Sequence, residues 1–378
     1  MILNDEQRMV RDMARAFVAE HVAPFARQWE SEAAIPRDVL HRMGKLGFLG
    51  MNVAPEHGGA GADYVSYALA LEEIAAGDGA LSTVMSVNNA PVCAAIERYG
   101  SAAQKDQWLK PLASGAMIGA FALTEPQAGS DASNLKTRAR RENSGWRLDG
   151  TKQFITSGRL AGVTMVFAVT DPQQGKRGIS CFLVPTVARG YRVAGIERKL
   201  GQRASDTCQI ALENCLVPAQ SLLGEEGAGY RIALANLETG RIGIAAQSVG
   251  MARAAFEAAR AYAGERQAFG TAIVNHQAVQ FRLADMATRI SVARQMVLHA
   301  ASLRDAREPC LTEAAMAKLF ASEMAEEVCS AAIQVHGGYG YMADFPVEKI
   351  YRDVRVCQIY EGPSDVQRLI IGRALSGL

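Results

Sequence analysis

One carboxylate near the C-terminal end of the sequence has the surroundings that a general base needs. Glu361 stands between Tyr360 and a Gly362-Pro363 pair. The capping-box spacing of Ser364 and Gln367 predicts that a helix begins at Ser364. We therefore expect Glu361 on a short, stiff loop between two helices, and proton abstraction depends on such fixed geometry before it depends on pKa. Taken alone, the residue also fits a solvated loop glutamate.

Composition narrows the class of protein. The 378 residues exceed one ordinary core, so two or three packed units are expected, and the apolar share of 49% is that of a soluble globular protein. A net charge of +1 gives no electrostatic footprint for nucleic acid or an anionic membrane. The longest apolar run, residues 112–124, is too short to cross a bilayer, so no membrane insertion is expected.

The cysteines and the N-terminal residues bear on the compartment. Seven cysteines, an odd number with no C-x-x-C pair, predict reduced thiols in a cytosol-like compartment. Residues 1–7 are acidic and polar and do not look like a signal or transit peptide. The six histidines are dispersed, so no metal site is expected, and the sequence has no P-loop, H-E-x-x-H or G-x-S-x-G motif.

The apolar periodicity changes twice along the chain. It is helical up to about residue 119, then becomes a series of short β-like runs, and is helical again from Gly229. The clearest elements are strands at Val163–Thr170, Ile179–Val184 and Cys208–Leu212 and long helices through Val279–Ala300 and Glu313–Val335. We therefore expect a mainly α protein with an inserted β domain, not a βαβ dinucleotide fold, with boundaries at 1–118, 119–224 and 225–378.

Several segments, spread in order over the whole chain, together resemble the acyl-CoA dehydrogenase family of flavoenzymes. They are Leu123–Pro126 with Ala128–Asp131, Gly150–Lys152 with Ile155-Thr156, Lys199–Gly201 with Arg203 and Ser205, Glu265-Arg266 with Phe269-Gly270, His276-Gln277, Gln334–Gly340, Tyr351–Asp353 and Tyr360–Arg368. The resemblance implies an N-terminal helical domain, a middle β-barrel-like domain and a C-terminal four-helix bundle. It also implies a homotetramer, built as a dimer of dimers, that contains FAD.

The resemblance implies a reaction as well: α,β-dehydrogenation of an acyl-CoA to the trans-2-enoyl-CoA. Glu361 matches the base that abstracts the α-proton while the β-hydride passes to flavin N5, and its own N–H would be one donor to the thioester carbonyl. Fixed donors in a dry site stabilise the developing enolate charge. The implied electron acceptor is electron-transfer flavoprotein. The implied location is the cytoplasm, or the mitochondrial matrix if a transit peptide is absent from the sequence.

Two groups of residues match FAD-binding positions of the family. The first group contacts the flavin and phosphates within the subunit: Leu123, Thr124, Gly129, Ser130, Phe154, Ile155, Thr156, Pro363 and Asp365. The second group reaches the FAD of a neighbouring subunit: Arg266, Phe269, Gln277, Gln334, Gly337 and Gly338. Without the resemblance, these positions also fit a Pro/Gly turn, a surface Glu265/Arg266 pair and a helix-ending glycine pair.

Substrate residues and departures from the family pattern complete the site. Ser130, Glu238, Arg241, Tyr360 and Gly362 match substrate-binding positions. Three positions depart from common family residues: Glu238 replaces Asp, Phe154 replaces Trp and so lacks an indole N–H, and Pro363 replaces a Thr whose hydroxyl and N–H face FAD.

Two further positions subdivide the family. Isovaleryl- and long-chain members place the base where this chain has Gly240, and glutaryl-CoA members carry an Arg where it has Ser82. We therefore expect Glu361 to be the base and the substrate to lack a second carboxylate. Residues 239–245 and 283–287 resemble short-chain members, and residues 315–320 and 335–341 resemble isobutyryl-type members, which implies a short straight or branched acyl-CoA. The alternatives are an acyl-CoA oxidase that uses oxygen and a non-catalytic FAD-binding homologue.

Overall fold

The computed structural model describes residues 1–143 and 145–377. Helices form the first part of the chain: α1 (Asp5–His21), α2 (Ala26–Glu32), α3 (Arg37–Lys45), α4 (Tyr64–Gly77), α5 (Gly79–Val87), α6 (Ala94–Tyr99), α7 (Ala102–Gln104) and α8 (Lys110–Ala113). A capping box begins α1, where Asn4 Oδ1 accepts from Gln7 N at 2.8 Å and Gln7 Oε1 accepts from Asn4 N at 3.1 Å.

The helices α4 and α5 form the centre of this part. Every residue from Val65 to Ala75 and from Gly79 to Ser86 is buried, so these helices are covered on all sides and show no amphipathic stripe. In α1, by contrast, Phe17 is buried while Met9 and Met13 of the same four-residue repeat are 66% and 38% exposed. The apolar repeat therefore identifies the helix correctly but not its buried face.

Strands form the middle of the chain: β1 (Gly119–Ala122), β2 (Arg138–Glu142), β3 (Gly145–Thr156), β4 (Val163–Val169), β5 (Ile179–Pro185), β6 (Tyr191–Ile196), β7 (Thr207–Pro218) and β8 (Leu222–Leu223). They make one sheet in the order β6-β7-β3-β2-β4-β5-β8, with β1 parallel to β4. The antiparallel pairing of β4 and β5 runs from Val163↔Pro185 to Val169↔Ile179.

Both faces of this sheet are covered near its centre. All seven residues of β4 are buried, because Val163, Met165 and Phe167 face one apolar cluster and Val166 and Ala168 face another. A strand buried on both faces needs a continuous apolar run instead of an alternating one. This explains the uninterrupted apolar character of residues 163–169.

Helices return in the last part: α9 (Gly229–Glu265), α10 (Gln277–Asp305), α11 (Leu311–His336), α12 (Pro346–Val354) and α13 (Ser364–Ser376). A two-stranded hairpin, β9 (Gln267–Ala268) and β10 (Thr271–Ala272), separates α9 from α10. One continuous core contains residues of α1, α4, α5, α9, α10 and α11, so the first and last helical parts pack on each other. This order of helices, strands and helices confirms the predicted fold class.

The structure also bears on membrane insertion. Of the helices in residues 1–143 and 145–377, none combines the length and apolar character that crossing a bilayer requires.

Candidate active site

Glu361 lies on a strained five-residue loop. Residues 359–363 connect a 3₁₀ turn, Arg355–Gln358, to α13. Glu361 has φ +54° and Gly362 has φ +87°. A positive φ is uncommon for a residue with a side chain and persists only where surrounding contacts hold it. The predicted loop between two helices is therefore confirmed, and its backbone points to a fixed role for the glutamate.

Two side chains hold this loop by its carbonyl groups. Gln367 Nε2 donates to Gly362 O at 2.7 Å and to Glu361 O at 3.3 Å. Lys318 Nζ, on α11, donates to the same Gly362 O at 2.7 Å. The loop is thus tied both to the helix that follows it and to the bundle beneath it.

The predicted capping box at Ser364 is not formed. The helix α13 does begin at Ser364, but Pro363 occupies the cap position and offers no side-chain hydrogen bond. The Ser364 hydroxyl has no hydrogen-bond partner within the described chain. The reason is that the Gln367 side chain turns back to the loop carbonyls and leaves the backbone N–H groups of the helix start alone.

The Glu361 carboxylate is enclosed at the surface of α9. A Cβ added to Gly240 would lie 2.6 Å from Glu361 Oε2, so the carboxylate occupies the space that this glycine leaves open. Oε2 is buried and, among the described residues, has no hydrogen-bond partner. Burial raises the pKa of the Glu361 carboxyl to about 7, while the charges of Arg241 and Lys318 lower it. The carboxylate is therefore free to accept a proton near neutral pH.

The Tyr360 hydroxyl takes part in a buried polar network that anchors the other side of the loop. It donates to Gln247 Oε1 on α9. Gln247 Nε2 donates in turn to Ser82 Oγ at 2.8 Å and Thr83 Oγ1 at 2.7 Å on α5. Ser82, the position matched in sequence to an arginine of glutaryl-CoA members, is fully buried and small.

The predicted substrate residues on α9 lie next to this loop. Arg241 is 6% exposed, its Nε has no hydrogen-bond partner, and no carboxylate of the described chain lies within 4 Å of it. Burial lowers the pKa of the Arg241 guanidinium, and Glu361 and Glu238 raise it. Glu238, one turn earlier, lies 3.9 Å from Arg304. The structure therefore brings together Glu361, Tyr360, Gly362 and Arg241, with Glu238 on the same helix.

The first group of predicted FAD residues lies after β1, at the end of β3 and, for Pro363 and Asp365, at the start of α13. Leu123 and Thr124 follow β1, and their carbonyls accept from Lys152 Nζ at 3.1 Å and Gln153 N at 2.9 Å. Gly129 and Ser130 are exposed in the next turn, and a Cβ on Gly129 would meet nothing within 4 Å. The backbone of this turn is thus open to a ligand.

A buried ion pair fixes this turn. Glu125 and Lys152 lie 2.8 Å apart, and their side chains are 1% and 0% exposed. Glu125 also accepts from the backbone N–H groups of Lys136, at 2.6 Å, and Thr137, at 3.1 Å. Burial raises the pKa of the Glu125 carboxyl, but Lys152 and these donors outweigh burial and lower it to about 2. Both residues belong to motifs visible in the sequence, Leu123–Pro126 and Gly150–Lys152, but a motif does not reveal that the two side chains pair.

The end of β3 presents a phenylalanine to the outside. Phe154 has φ +57° and is 62% exposed, at a bulge in the pairing of β3 with β7. Ile155 is 1% exposed and its side chain lies in the sheet core, so only its backbone can face a ligand. The side chain of Thr156, the last residue of β3, is half-buried.

Four residues of the second group line one open cleft of about 530 Å³ at the end of α11. They are Arg266, Gln334, Gly337 and Gly338. A Cβ on either glycine would meet nothing within 4 Å, so a ligand can approach the backbone closely. The Arg266 guanidinium lies 5.6 Å from the ring centre of Tyr339.

The remaining predicted residues lie at exposed positions. Phe269, at the tip of the β9–β10 hairpin, is 97% exposed with φ +52°, and Gln277 is exposed at the start of α10. Asp365 is exposed in the first turn of α13 and accepts from Arg368 at 3.3 Å.

Family models and relatives match the chain over its length. The acyl-CoA dehydrogenase N-terminal, middle and C-terminal domain models match residues 4–116, 120–215 and 227–376. An acyl-CoA dehydrogenase of Bacillus subtilis is 46% identical over 377 residues and is covered completely, as is this chain. The mitochondrial short-chain specific acyl-CoA dehydrogenase of Rattus norvegicus is 45% identical, with 98% of this chain and 90% of the relative covered.

Solved structures agree with the sequence matches. Butyryl-CoA dehydrogenase from Megasphaera elsdenii superposes with a TM-score of 0.96 at 36% identity, covering 100% of this chain and 99% of that one. Glutaryl-CoA dehydrogenase from Mycobacterium smegmatis in complex with FADH2 gives 0.95 at 35% identity, with 100% and 96% covered. A chain from a study of the electron transferring flavoprotein of Acidaminococcus fermentans gives 0.98 at 42% identity, with 99% of both chains covered. The chain thus belongs to the acyl-CoA dehydrogenase family of enzymes.

Proposed function

We propose that this chain dehydrogenates a short straight or branched acyl-CoA to the trans-2-enoyl-CoA, with Glu361 as the base that removes the α-proton. The observation that carries the proposal is the enclosed Glu361 Oε2 atom, which has no hydrogen-bond partner in the described chain and belongs to a carboxyl of pKa about 7. A general base works best when its pKa lies near the operating pH.

The loop supplies more than the carboxylate. The Glu361 N–H makes no hydrogen bond within the described residues, so it is available to the thioester carbonyl on which enolate charge develops. Proton transfer breaks the Cα–H bond and forms the O–H bond of Glu361. The positive φ of Glu361 and the two donors to Gly362 O keep the carboxylate and the N–H in one fixed arrangement.

The residues present fit FAD. The exposed ring of Phe154 offers a stacking surface, and the open backbone at Gly129 offers N–H donors to phosphates or the flavin edge. The cleft with Arg266 and Gly337-Gly338 suits a pyrophosphate, because a guanidinium binds two oxygens at once. Leu123, Thr124, Ser130, Ile155, Thr156, Phe269, Gln277, Gln334, Pro363 and Asp365 complete the proposed set. FAD supplies the acceptor for the β-hydride.

The acyl-CoA is proposed to lie along α9. Arg241 has a buried guanidinium with no carboxylate within 4 Å among the described residues, and Glu238 and Ser130 are the other proposed CoA contacts. Neither Gly240 nor the fully buried Ser82 offers a cation for a distal carboxylate, which favours an acyl group without one. A short chain is favoured by the likeness to a short-chain specific dehydrogenase and a butyryl-CoA dehydrogenase.

The domain boundaries, the assembly, the electron acceptor and the location are proposals as well. We propose domain boundaries at 1–118, 119–224 and 225–378. A homotetramer, a dimer of dimers, would cover the exposed apolar residues Phe269, Leu369 and Leu375. Electron-transfer flavoprotein is the proposed acceptor, in fatty acid or branched-chain amino acid breakdown. A cytoplasmic location fits the seven free, buried cysteines.

The test is anaerobic reduction of the bound flavin. We expect butyryl-CoA or isobutyryl-CoA to bleach the flavin absorbance of the purified holoenzyme, with the matching 2-enoyl-CoA as product. If no acyl-CoA bleaches a protein that contains FAD, the proposal is wrong. Release of hydrogen peroxide without an added acceptor would identify an oxidase instead.

The role of Glu361 has its own test. Glu361→Gln keeps the shape of the side chain but cannot take the proton, so we expect normal FAD content and a fall in kcat of at least about 1,000-fold. The measurement is flavin reduction under single-turnover conditions. Near-normal turnover in this variant would place the base elsewhere.

A further inference from the structure

Lys318 is a buried cation beside the loop that carries the proposed base. It lies on α11 among buried alanines and is fully buried. Its Nζ donates one hydrogen bond, to Gly362 O, and no carboxylate of the described chain lies within 4 Å of it. Burial lowers the pKa of the Lys318 ammonium to about 8. An unpaired buried ammonium is costly, so its presence needs a reason.

The hydrogen bond to the loop does not explain why position 318 carries a buried positive charge. Gln367 Nε2 already donates to Gly362 O at 2.7 Å, the same distance as Lys318 Nζ. A neutral side chain at position 318 would therefore leave this carbonyl satisfied. What Lys318 adds to the loop, and Gln367 cannot add, is a positive charge.

The charged and titratable groups around Glu361 are few. Arg241 on α9 and Lys318 on α11 act on its carboxylate, and both lower its pKa. Tyr67 on α4 is buried and its own pKa is raised, by burial first and also by the Glu361 charge. Lys318 is in turn affected by Cys357, Glu361, Arg241 and Glu323. Glu361 is thus one carboxylate between two buried cations from different helices.

We propose that Lys318 is a positioning residue that fixes the Glu361 loop and, by its charge, sets the pH range in which Glu361 acts as a base. The ammonium favours the anionic form of Glu361 before proton transfer. Once Glu361 is neutral, the same charge remains beside the site and favours the negative charge that has moved onto the thioester. This role rests on the proposed function, but the coupling of Lys318 to Glu361 does not depend on turnover.

Two variants separate the charge from the hydrogen bond. Lys318→Gln removes the charge and keeps a donor, whereas Lys318→Arg keeps the charge. With FAD bound, we expect the acid limb of kcat/KM for butyryl-CoA to move to higher pH by about one unit in Lys318→Gln and to stay in place in Lys318→Arg. Lys199→Met is the matched control, because Lys199 is another lysine with a backbone acceptor and a burial-lowered pKa that Glu361 does not influence.

A second readout does not use activity. Carbodiimides modify the protonated carboxyl, so the pH midpoint of Glu361 modification, followed by peptide mass spectrometry, reports its pKa directly. We expect this midpoint to rise in Lys318→Gln by the same amount as the acid limb. Should the wild-type enzyme fail to act on acyl-CoA, this measurement still tests the coupling. An unchanged midpoint in folded Lys318→Gln would show that Lys318 is only a structural tether.

The reverse experiment covers the case in which the lysine variants do not fold. Coupling between two sites is reciprocal, so removing the Glu361 charge must lower the pKa of Lys318. In Glu361→Gln, the pH midpoint for acetylation of Lys318 should therefore fall relative to wild type, while that of Lys199 stays unchanged. Equal Lys318 midpoints in the two proteins would overturn the proposal.

Discussion

The absence of a side chain at position 240 is as important to the site as the presence of one at 361. Gly240 lies on the side of α9 that meets the Glu361 carboxylate, and the nearest atoms to an added Cβ are Oε2, Cδ and Oε1 of Glu361. From the sequence alone, this glycine indicates only that the base cannot be there. The geometry adds a second reason for glycine, because the carboxylate occupies the volume that any larger residue would fill.

Gly240→Ala tests whether the site needs this space, because it adds a single methyl group beside the carboxylate. Alanine is favoured over glycine in a helix by about 1 kcal/mol, so we expect no loss of helix stability from propensity. The added Cβ would lie 2.6 Å from Oε2, so the carboxylate must shift, and we expect kcat to fall by about tenfold or more with FAD retained. Flavin reduction kinetics measure the effect.

The control for this prediction lies on the same helix. Gly264 also belongs to α9, but a Cβ there would meet nothing within 4 Å. Gly264→Ala should therefore leave kcat within about twofold of wild type. Equal kcat values for the two alanine variants would mean that the space beside Gly240 is not needed.

Single residues also show what sequence patterns reveal and what they miss. Glu361 can be predicted as a loop carboxylate, because a Gly-Pro pair and a helix start are local signals. Lys318 is also noticeable in the sequence, because it is a lysine within an apolar helical stretch. Its partner cannot be predicted, because Gly362 O is 44 residues away along the chain. Gln247 and Gln367 are missed for the same reason: their partners depend on which helices pack together.

At the scale of elements, apolar periodicity predicts the long helices well and their boundaries closely. The predicted helices at Val279–Ala300 and Glu313–Val335 lie within α10 and α11. The strand predicted at Cys208–Leu212 extends to Pro218 in the structure. The prediction ended early because Glu213 and Asn214 are both exposed and the later residues alternate between buried and exposed, so the continuous apolar run stops at Leu212. Helices α4 and α5 have no buried stripe to detect, since all of their sides are covered.

The ion pair Glu125–Lys152 joins two such elements, the turn after β1 and the strand β3. Lys152→Met leaves the Glu125 carboxylate buried and unpaired, so we expect a loss of about 3–5 kcal/mol in the free energy of unfolding and weaker FAD retention. Thermal unfolding and flavin absorbance measure both effects. A second change, Glu125→Gln, should recover part of the lost stability.

An exposed ion pair provides the comparison. Arg192 and Glu213 lie 2.8 Å apart on neighbouring strands with side chains 57% and 65% exposed. Arg192→Met should change stability by less than about 1 kcal/mol. If Lys152→Met were equally mild, the pair would not hold the turn in place.

For the whole molecule, the proposed cofactor residues fall into two groups on different elements. One group lies after β1, at the end of β3 and at the start of α13, and the other lies at the end of α11, on the hairpin after α9 and at the start of α10. Two groups of this kind fit a cofactor bound between subunits, as the family resemblance implies. The family resemblance implies both the membership of each group and the assembly, whereas the periodicity of the sequence predicts neither, because contacts between copies leave no periodicity within one chain.

Phe269 provides the test of this assembly. It is 97% exposed at a hairpin tip, where its ring meets the His276 ring edge-on at 5.9 Å between centroids but leaves nearly all of its apolar surface uncovered. We expect Phe269→Ser to leave the secondary structure and the monomer core intact but to weaken FAD retention and tetramer formation. Light scattering after gel filtration gives the mass of the assembly, and flavin absorbance per chain gives the FAD occupancy.

Val187→Ser is the control, because Val187 is 92% exposed and belongs to neither group of proposed cofactor residues. This variant should retain the tetramer and FAD. A Phe269→Ser protein that remains a fully flavinated tetramer would show that the hairpin does not reach a neighbouring subunit's cofactor.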